Sequence, residues 1–321
     1  MTMFQDPPLS IIMPVYNEER HLEEAINSAL RQSLKNIELI CIDDGSEDAS
    51  PHILRRFSET DNRVRIITQE HSGAGTARNA GLKTARGSYI AFLDADDLYP
   101  SESCLETLFE LAAAHNAKIA GGSLLYLEDG HIFEARTKQI DFTFHDTGLI
   151  KYSDFQQAYY YQRFIYSRNM LSEANISFPA YRRFQDVVFF VQAMTKAGEF
   201  MATESPAYIY RKNEEFVSLS DERINDMLRG YNDVLMIAKT NNYDKLFSFL
   251  ARRICGNSAV SEMVKKSIRS GNQTAEMLYS EISEICGDPY AGTRSRPIRS
   301  RLRSLLARIG LQKKGSFREK K

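Results

Sequence analysis

The chain has 321 residues, 43% of them hydrophobic, which suffices for a buried core in one large or two small domains, and its net charge of −1 excludes a global attraction for nucleic acid. Cys41, Cys104, Cys255 and Cys286 form no C-x-x-C pair, which argues against a structural zinc site. No segment approaches the roughly 18 to 20 apolar residues needed to span a bilayer and no leader pattern opens the chain, so the expectation is a cytoplasmic protein with reduced thiols.

Leu9 to Val15 reads as a buried strand with Pro14 near its end. A helix follows, with Leu22, Ile26, Ala29 and Leu30 on one face and Glu18, Glu19, Glu23 and Glu24 in the first turns, where the helix dipole favours negative charge. Ile37 to Ile42 is the next strand and ends in Asp43-Asp44-Gly45-Ser46. A helix with Ile53, Leu54 and Phe57 inward, a strand from Val64 to Thr68, and a helix from about Thr76 to Ala85 opened by Gly73-Ala74-Gly75 come next. Tyr89 to Leu93 is a fourth strand that runs into Asp94-Ala95-Asp96-Asp97. Alternating strands and helices predict a mostly parallel sheet with helices on both faces, whose ligands bind beyond the carboxyl ends of the strands. Past Gly121-Gly122 the pattern changes to mixed strands with a hairpin at Glu128-Asp129-Gly130. It continues with a helix over Val187 to Met194, an extended Tyr208 to Arg211, and helices over Ile224 to Ala238 and Lys245 to Val264.

The acidic cluster carries the first chemical signal. At least two of Asp94, Asp96 and Asp97 must share a small space where a strand enters solvent, and a divalent cation relieves that repulsion. Mn²⁺ or Mg²⁺ commonly combines one or two carboxylates with substrate phosphates, so Asp-x-Asp after an apolar strand suits a diphosphate leaving group. Alone, the pattern is equally a solvated turn ahead of a helix cap. Asp43 and Asp44 offer acceptors for a nucleoside, or an Asx-turn with Gly45 and Ser46. Arg78 can neutralise phosphate or be a surface charge, and His71 reads as a solvated strand end.

In order and spacing, SIIMPVYNEERHLEEAINSALRQS, ELICIDDGSEDAS and SGAGTARNAGLKTARGSYIAFLDADD resemble the family-2 glycosyltransferases of the GT-A fold over roughly residues 9–127. The resemblance implies an α/β GT-A architecture, a mostly parallel central sheet with helices on both faces, followed by a helical C-terminal region. It implies a nucleotide-diphosphate sugar donor, a UDP-sugar for choice, with Pro14, Val15, Tyr16, Glu18 and Asp43 lining the nucleoside pocket and Arg78 and Asn79 in the same wall. Asp94 would face the ribose, Ala95 belongs to the same nucleotide-sugar set, and Asp96 would hold Mn²⁺ or Mg²⁺. The family's second block, an acidic pair before an apolar run and a later Tyr-x-Tyr-Arg, is matched by Gln185-Asp186 and by Tyr208-Ile209-Tyr210-Arg211. Asp186 would then be the catalytic base of a single, inverting displacement, and Arg211 would stabilise the departing diphosphate. Gln185 departs from the usual Glu. With no tryptophan in the chain, the Q-x-x-R-W motif of processive synthases is excluded. The expected acceptor is a glycan or lipid-linked glycan of bacterial surface-polysaccharide assembly. A non-catalytic nucleotide-sugar-binding or scaffold protein that keeps the fold without turnover is the rival reading. A dehydrogenase is disfavoured because no glycine fingerprint follows the first strand.

The expected organisation is a GT-A domain over 1–215, divided near 127 into nucleotide-sugar and acceptor halves, a helical region over 216–292, and a basic tail over 293–321. The tail holds eleven Lys/Arg against one Glu. Ile298, Leu302, Leu305, Leu306 and Ile309 recur at helical spacing among its arginines, as in an interfacial helix on an anionic membrane. A helix docked on its own domain and an unstructured tail are the alternatives. Nucleic acid is not an expected partner, and the site would be cytoplasmic, with peripheral attachment to the inner membrane face.

Overall fold

A computed structural model describes residues 6–137, 140–212 and 219–287. Strands β1 (Leu9–Val15) and β2 (Ile37–Asp43) are buried almost throughout, separated by helix α1 (Leu22–Leu30). Helix α2 (Ser50–Thr60), the edge strand β3 (Val64–Thr68), helix α3 (Ala74–Thr84) and strand β4 (Tyr89–Phe92) complete the first half. The four strands run parallel in the order β3-β2-β1-β4. Glu18 and Glu19 precede α1 instead of lying in it; the Glu18 carbonyl accepts the amides of His21 and Leu22 and so starts the helix.

Why β1 and β2 read as continuous apolar runs is plain from their two faces. Ile12, Ile40 and Ile42 enter one core cluster with Ala77 of α3, whereas Leu9, Ile11, Met13, Leu39 and Cys41 enter another with Leu22 and Ile26 of α1. Helix α3 lies close against the sheet at Gly81, where a Cβ would come within 2.6 Å of Ile12 and 3.0 Å of Ile42.

Helix α4 (Cys104–Ala114) leads to β5 (Ile119–Glu128) and β6 (His131–Glu134), joined at the expected hairpin with Asp129 and Gly130 both at positive φ. Next come β7 (Gly148–Lys151), helix α5 (Tyr152–Phe155), a 3₁₀ turn over Tyr161–Arg163, β8 (Phe164–Ser167) and helices α6 (Arg168–Glu173) and α7 (Gln185–Ala197). Strand β9 (Glu199–Arg211) is longer than the extended Tyr208 to Arg211 that the sequence indicated. The sheet continues from β4 as β8-β5-β9-β7; β8 is antiparallel to both neighbours and β9 parallel to β5, so parallel pairing dominates the first half and mixed pairing the second.

Four further helices follow among the described residues: α8 (Asp221–Asn241), α9 (Asp244–Cys255), α10 (Ala259–Arg269) and α11 (Gln273–Cys286). The single helix expected over Lys245 to Val264 is two, because the chain turns at Gly256 and Ser258 caps a new helix by accepting the Ser261 amide at 3.0 Å. Helix α11, which the sequence reading did not identify, is capped in the same way by Asn272. These helices share the core cluster that begins at Ile12 and ends at Ile285, so they are built onto the α3 face of the sheet. None of the described helices is long and apolar enough to cross a membrane. The basic tail lies outside the described residues.

Candidate active site

The carboxyl ends of β1 and β2 form a laced rim. Asn17, at φ 51°, donates its amide to Ser46 Oγ (3.0 Å) and accepts the Glu47 amide (2.8 Å), while the Glu18 amide donates to Ser50 Oγ (2.9 Å). Val15 is buried and its carbonyl accepts the Asp44 amide at 2.8 Å; Pro14 is half-buried beside it. The paired aspartates divide their work. Asp44, 2% exposed, accepts from Gln69 Nε2 and from the amides of Ser72 and Gly73, and so anchors the loop into α3. Asp43 accepts the Ser46 amide at 3.0 Å, which is the Asx-turn alternative, from a buried position at the end of β2.

Tyr16 is 45% exposed and stacks on His71, with centroids 3.9 Å apart and planes at 28°. This flat ledge suits a planar base, and it includes a residue that sequence reasoning set aside. His71 Nδ1 also lies 3.0 Å from Asp44. Two expected wall residues are engaged elsewhere. Glu18 pairs with His21 at 2.6 Å, and Asn79 both donates to and accepts from the Phe178 backbone, clamping α3 to the segment before α7.

At the end of β4 the three carboxylates have separate environments. Asp94 is clasped at both oxygens, by Arg78 Nη2 at 2.5 Å and Gln162 Nε2 at 2.8 Å. Asp97 is fully buried, accepts from Tyr208 Oη and the Arg211 amide (both 2.7 Å), and is pushed well above the usual carboxylate range by burial and by the neighbouring Asp96 and Asp94. Tyr208 Oη also accepts the Asp94 amide at 3.0 Å, so one hydroxyl ties the two together. Protein groups thus answer much of the crowding, and the crowding argument alone does not call for a cation. Asp96 is half-buried at this strand end, and Ala95 is buried between the two acids. Among the described residues no group of three or more His, Cys, Asp or Glu is arranged to cage a metal.

Arg211 is brought beside Asp96, donating through Nε to its carbonyl at 2.8 Å, but its guanidinium also pairs with Glu24 at 2.7 Å. Burial would lower the Arg78 guanidinium, yet Asp94 and the Tyr161 hydroxyl outweigh it and hold the charge firmly. Gln162 was missed because a lone glutamine carries no signal. It is presented by the 3₁₀ turn, which is pinned by fully buried Arg163 donating to the Gly122 and Phe142 carbonyls and to Gln157. Burial lowers Arg163 to about 9.

Asp186 enters the same space from the other side. A cavity of about 660 Å³ is lined by Asp94, Arg78, Gln162 and Asp186 and extends to α8–α10; Asp96, Arg211 and the Tyr16–Asp43 rim lie outside its lining. Asp186 stands in the first turn of α7, after Phe184, whose left-handed backbone (φ 71°) is held by a ring stack on Tyr231 at 4.4 Å. Burial raises the Asp186 carboxyl above its ordinary value, opposed by Arg78, by its own amide and that of Val187, and by Arg183. Arg78 Nε and Nη1, Tyr161 Oη, Gln162 Oε1 and Gln185 Oε1 are buried without a partner, an uncommon concentration of unmet polar atoms in one place.

Residues 10–182 match the Glycosyl transferase family 2. The chain belongs to that family. The chain is 35% identical over 222 residues to the uncharacterized glycosyltransferase EpsJ of Bacillus subtilis, covering 64% of this chain and 62% of that protein. It is 33% identical over 261 residues to the minor teichoic acid biosynthesis protein GgaA of the same organism, covering 75% and 56%. The matched part therefore spans less than two thirds of either relative. Among solved structures it resembles S. aureus TarS 1-349 in complex with UDP-GlcNAc, with TM-score 0.71, 18% identity and 87% and 81% of the two chains covered. A mannosyltransferase from Pyrobaculum calidifontis in complex with GDP-Man and Mn²⁺ aligns with TM-score 0.57 at 16% identity, over 96% and 87%. At these identities the likeness establishes the GT-A fold of the chain and nothing beyond it.

Proposed function

We propose that the enzyme transfers one sugar, with inversion, from a UDP-sugar to a hydroxyl of a glycan or lipid-linked glycan in bacterial surface-polysaccharide synthesis. The observation that carries this reading is the one cavity lined both by Asp94, clasped by Arg78 and Gln162, and by the partly compensated carboxyl of Asp186. Tyr16 and Asp43 would receive the base and ribose, and residues 9–127 would act as the donor half. The acceptor half over 128–215 would be completed by the helices up to 292.

In the reaction, Asp186 takes the proton of the attacking hydroxyl as that oxygen forms its bond to the anomeric carbon and the bond to the diphosphate breaks on the opposite face. The buried unpaired atoms of Arg78, Gln162 and Gln185 would bind and orient the sugar and exclude water from the anomeric carbon. Asp96 fits a Mn²⁺ or Mg²⁺ site of the kind that needs one carboxylate plus diphosphate oxygens, since it is half-buried beside the cavity and the cage can be completed by the ligand. Bound there, the cation would supply neutralisation of the leaving group's charge. A peripheral membrane location through the 293–321 tail belongs to the same reading.

A thermal-shift panel of UDP-, GDP- and dTDP-sugars with Mn²⁺ tests it. A ligand at 100 times its Kd stabilises by about 2.7 kcal/mol. Stabilisation by UDP-sugars followed by release of UDP upon transfer is expected. Stabilisation without release of UDP, or no stabilisation by any of them, supports the rival reading of a non-catalytic nucleotide-sugar-binding or scaffold protein.

A further inference from the structure

The cavity does not end at Asp186. It continues between Tyr159 and the face of α9 and α10 that carries Phe249, Arg253, Val260 and Met263. Phe249 and Arg253 lie one turn apart on α9 and converge on one ring, with Phe249 edge-on to Tyr159 at 5.9 Å and the Arg253 guanidinium 5.7 Å over it.

The charges around this space are unequal. Arg78, Arg182, Arg183 and Arg253 line the cavity against Asp94 and Asp186. Arg78 is committed to Asp94, and Arg182 pairs with Glu222 at 3.1 Å. Neither Arg183 nor Arg253 forms an ion pair among the described residues, and both are exposed. Arg183 also acts on the Asp186 carboxyl, and the Tyr159 hydroxyl feels Asp186, Arg253 and Arg183 together, so these groups occupy one neighbourhood. A neutral glycan requires no such pair of cations beside the base. A planar guanidinium matches a phosphate oxygen pair, and an aromatic–apolar wall suits the carbon skeleton next to it.

We infer that the helical end of the cavity is an acceptor subsite for a hydroxyl compound bearing a phosphate ester, with Arg253 and Arg183 as its anion ligands and Tyr159 and Phe249 as its floor. This rests on the reading of Asp186 as the base. A phosphodiester of a polyol chain and the diphosphate of a lipid-linked sugar share this chemistry.

Binding to the full chain by calorimetry decides it, with three probes: a glycerol phosphate tetramer, octyl diphospho-N-acetylglucosamine, and octyl N-acetylglucosaminide, which has no phosphate. At least one phosphate probe should bind about tenfold or more tighter than the neutral glycoside. Arg253→Gln and Arg183→Gln should each erase about tenfold of that preference, and Arg253→Lys should erase less. Which phosphate probe binds tighter names the source. UDP with Mn²⁺, titrated into the unaltered chain, reports the donor end separately, so its failure counts against the donor reading and not the subsite. Equal binding of the neutral probe, no binding of either phosphate probe, or indifference to both arginines overturns the inference.

Discussion

Gly230→Ala probes the seam between α7 and α8 on which Asp186 depends. In an ordinary helix interior this substitution stabilises by about 0.5–1 kcal/mol, since alanine loses less backbone entropy. Here the added Cβ would stand 2.8 Å from the Phe184 ring and 3.1 Å from its Cβ. The ring cannot retreat freely, because it is stacked on Tyr231 at 4.4 Å and is anchored to a left-handed backbone at φ 71°. Overpacking of this kind costs about 1–3 kcal/mol, so the net effect is a loss of up to roughly 2.5 kcal/mol. The displacement passes to Gln185 and Asp186, the first two residues of α7. Urea denaturation and initial-rate kinetics should show a lower midpoint and a fall in kcat larger than any change in donor KM, since the donor rim is built from β1, β2 and α3. A more stable variant with unchanged kcat would refute the argument that Phe184 holds the base in place.

Asp186→Asn should lower kcat by a factor on the order of 10² to 10⁴ with UDP binding kept, measured by UDP release and calorimetry. For the wild type, burial places the acid limb of kcat above the ordinary carboxylate range, with activity lost as pH falls through it; a midpoint at the ordinary value would contradict that burial. A carboxyl raised on folding contributes stability that is present below its unfolded value and lost as pH rises through its folded one, so Asp186→Asn should match or exceed wild-type Tm at pH 8 and lose that advantage near pH 4. Asp96→Ala and EDTA should each abolish transfer while circular dichroism stays native; full activity in EDTA would exclude the cation. Tyr208→Phe removes the hydroxyl between Asp97 and the Asp94 amide and should cost about 1.5–3 kcal/mol by denaturant titration.

The place of the proposed donor rim was legible because its parts are contiguous with the strands that carry them. Pro14–Glu18, Asp43 and Asp94–Asp96 each end a strand of the β2-β1-β4 sheet core, so local patterning fixed their place. What completes the site comes from far along the chain and from ambiguous residue types. Gln162 reaches Asp94 across 68 positions and Tyr208 reaches Asp97 across 111, and neither a glutamine nor a tyrosine announces such a role. His71 is a solvated side chain, as its sequence context indicated, and only the stack on Tyr16 gives it a place at the rim. The break after Cys255 had a local signal in Gly256 and Ser258, but the apolar spacing on either side stays nearly in phase and reads as one helix. Asp44 and Asn79 show that residues inside a recognisable motif can also be engaged in holding loops together.

If Asp186 is the base, as proposed, its place at the start of α7 follows from competing demands on one carboxyl. It must be shielded enough to bind a hydroxyl proton with useful strength, yet remain ionised near neutral pH. Burial in the cavity meets the first demand and, unopposed, would keep Asp186 protonated. The amides of the first turn, the guanidinium of Arg78 and the charge of Arg183 supply the opposition. Arg78 does so while clasping Asp94, so the same side chain links the donor side of the cavity to the base. Neutral Gln185 beside Asp186 fits this balance, because a second carboxylate there would add like-charge repulsion to burial and push Asp186 further toward its protonated form, which could not serve as the proposed base.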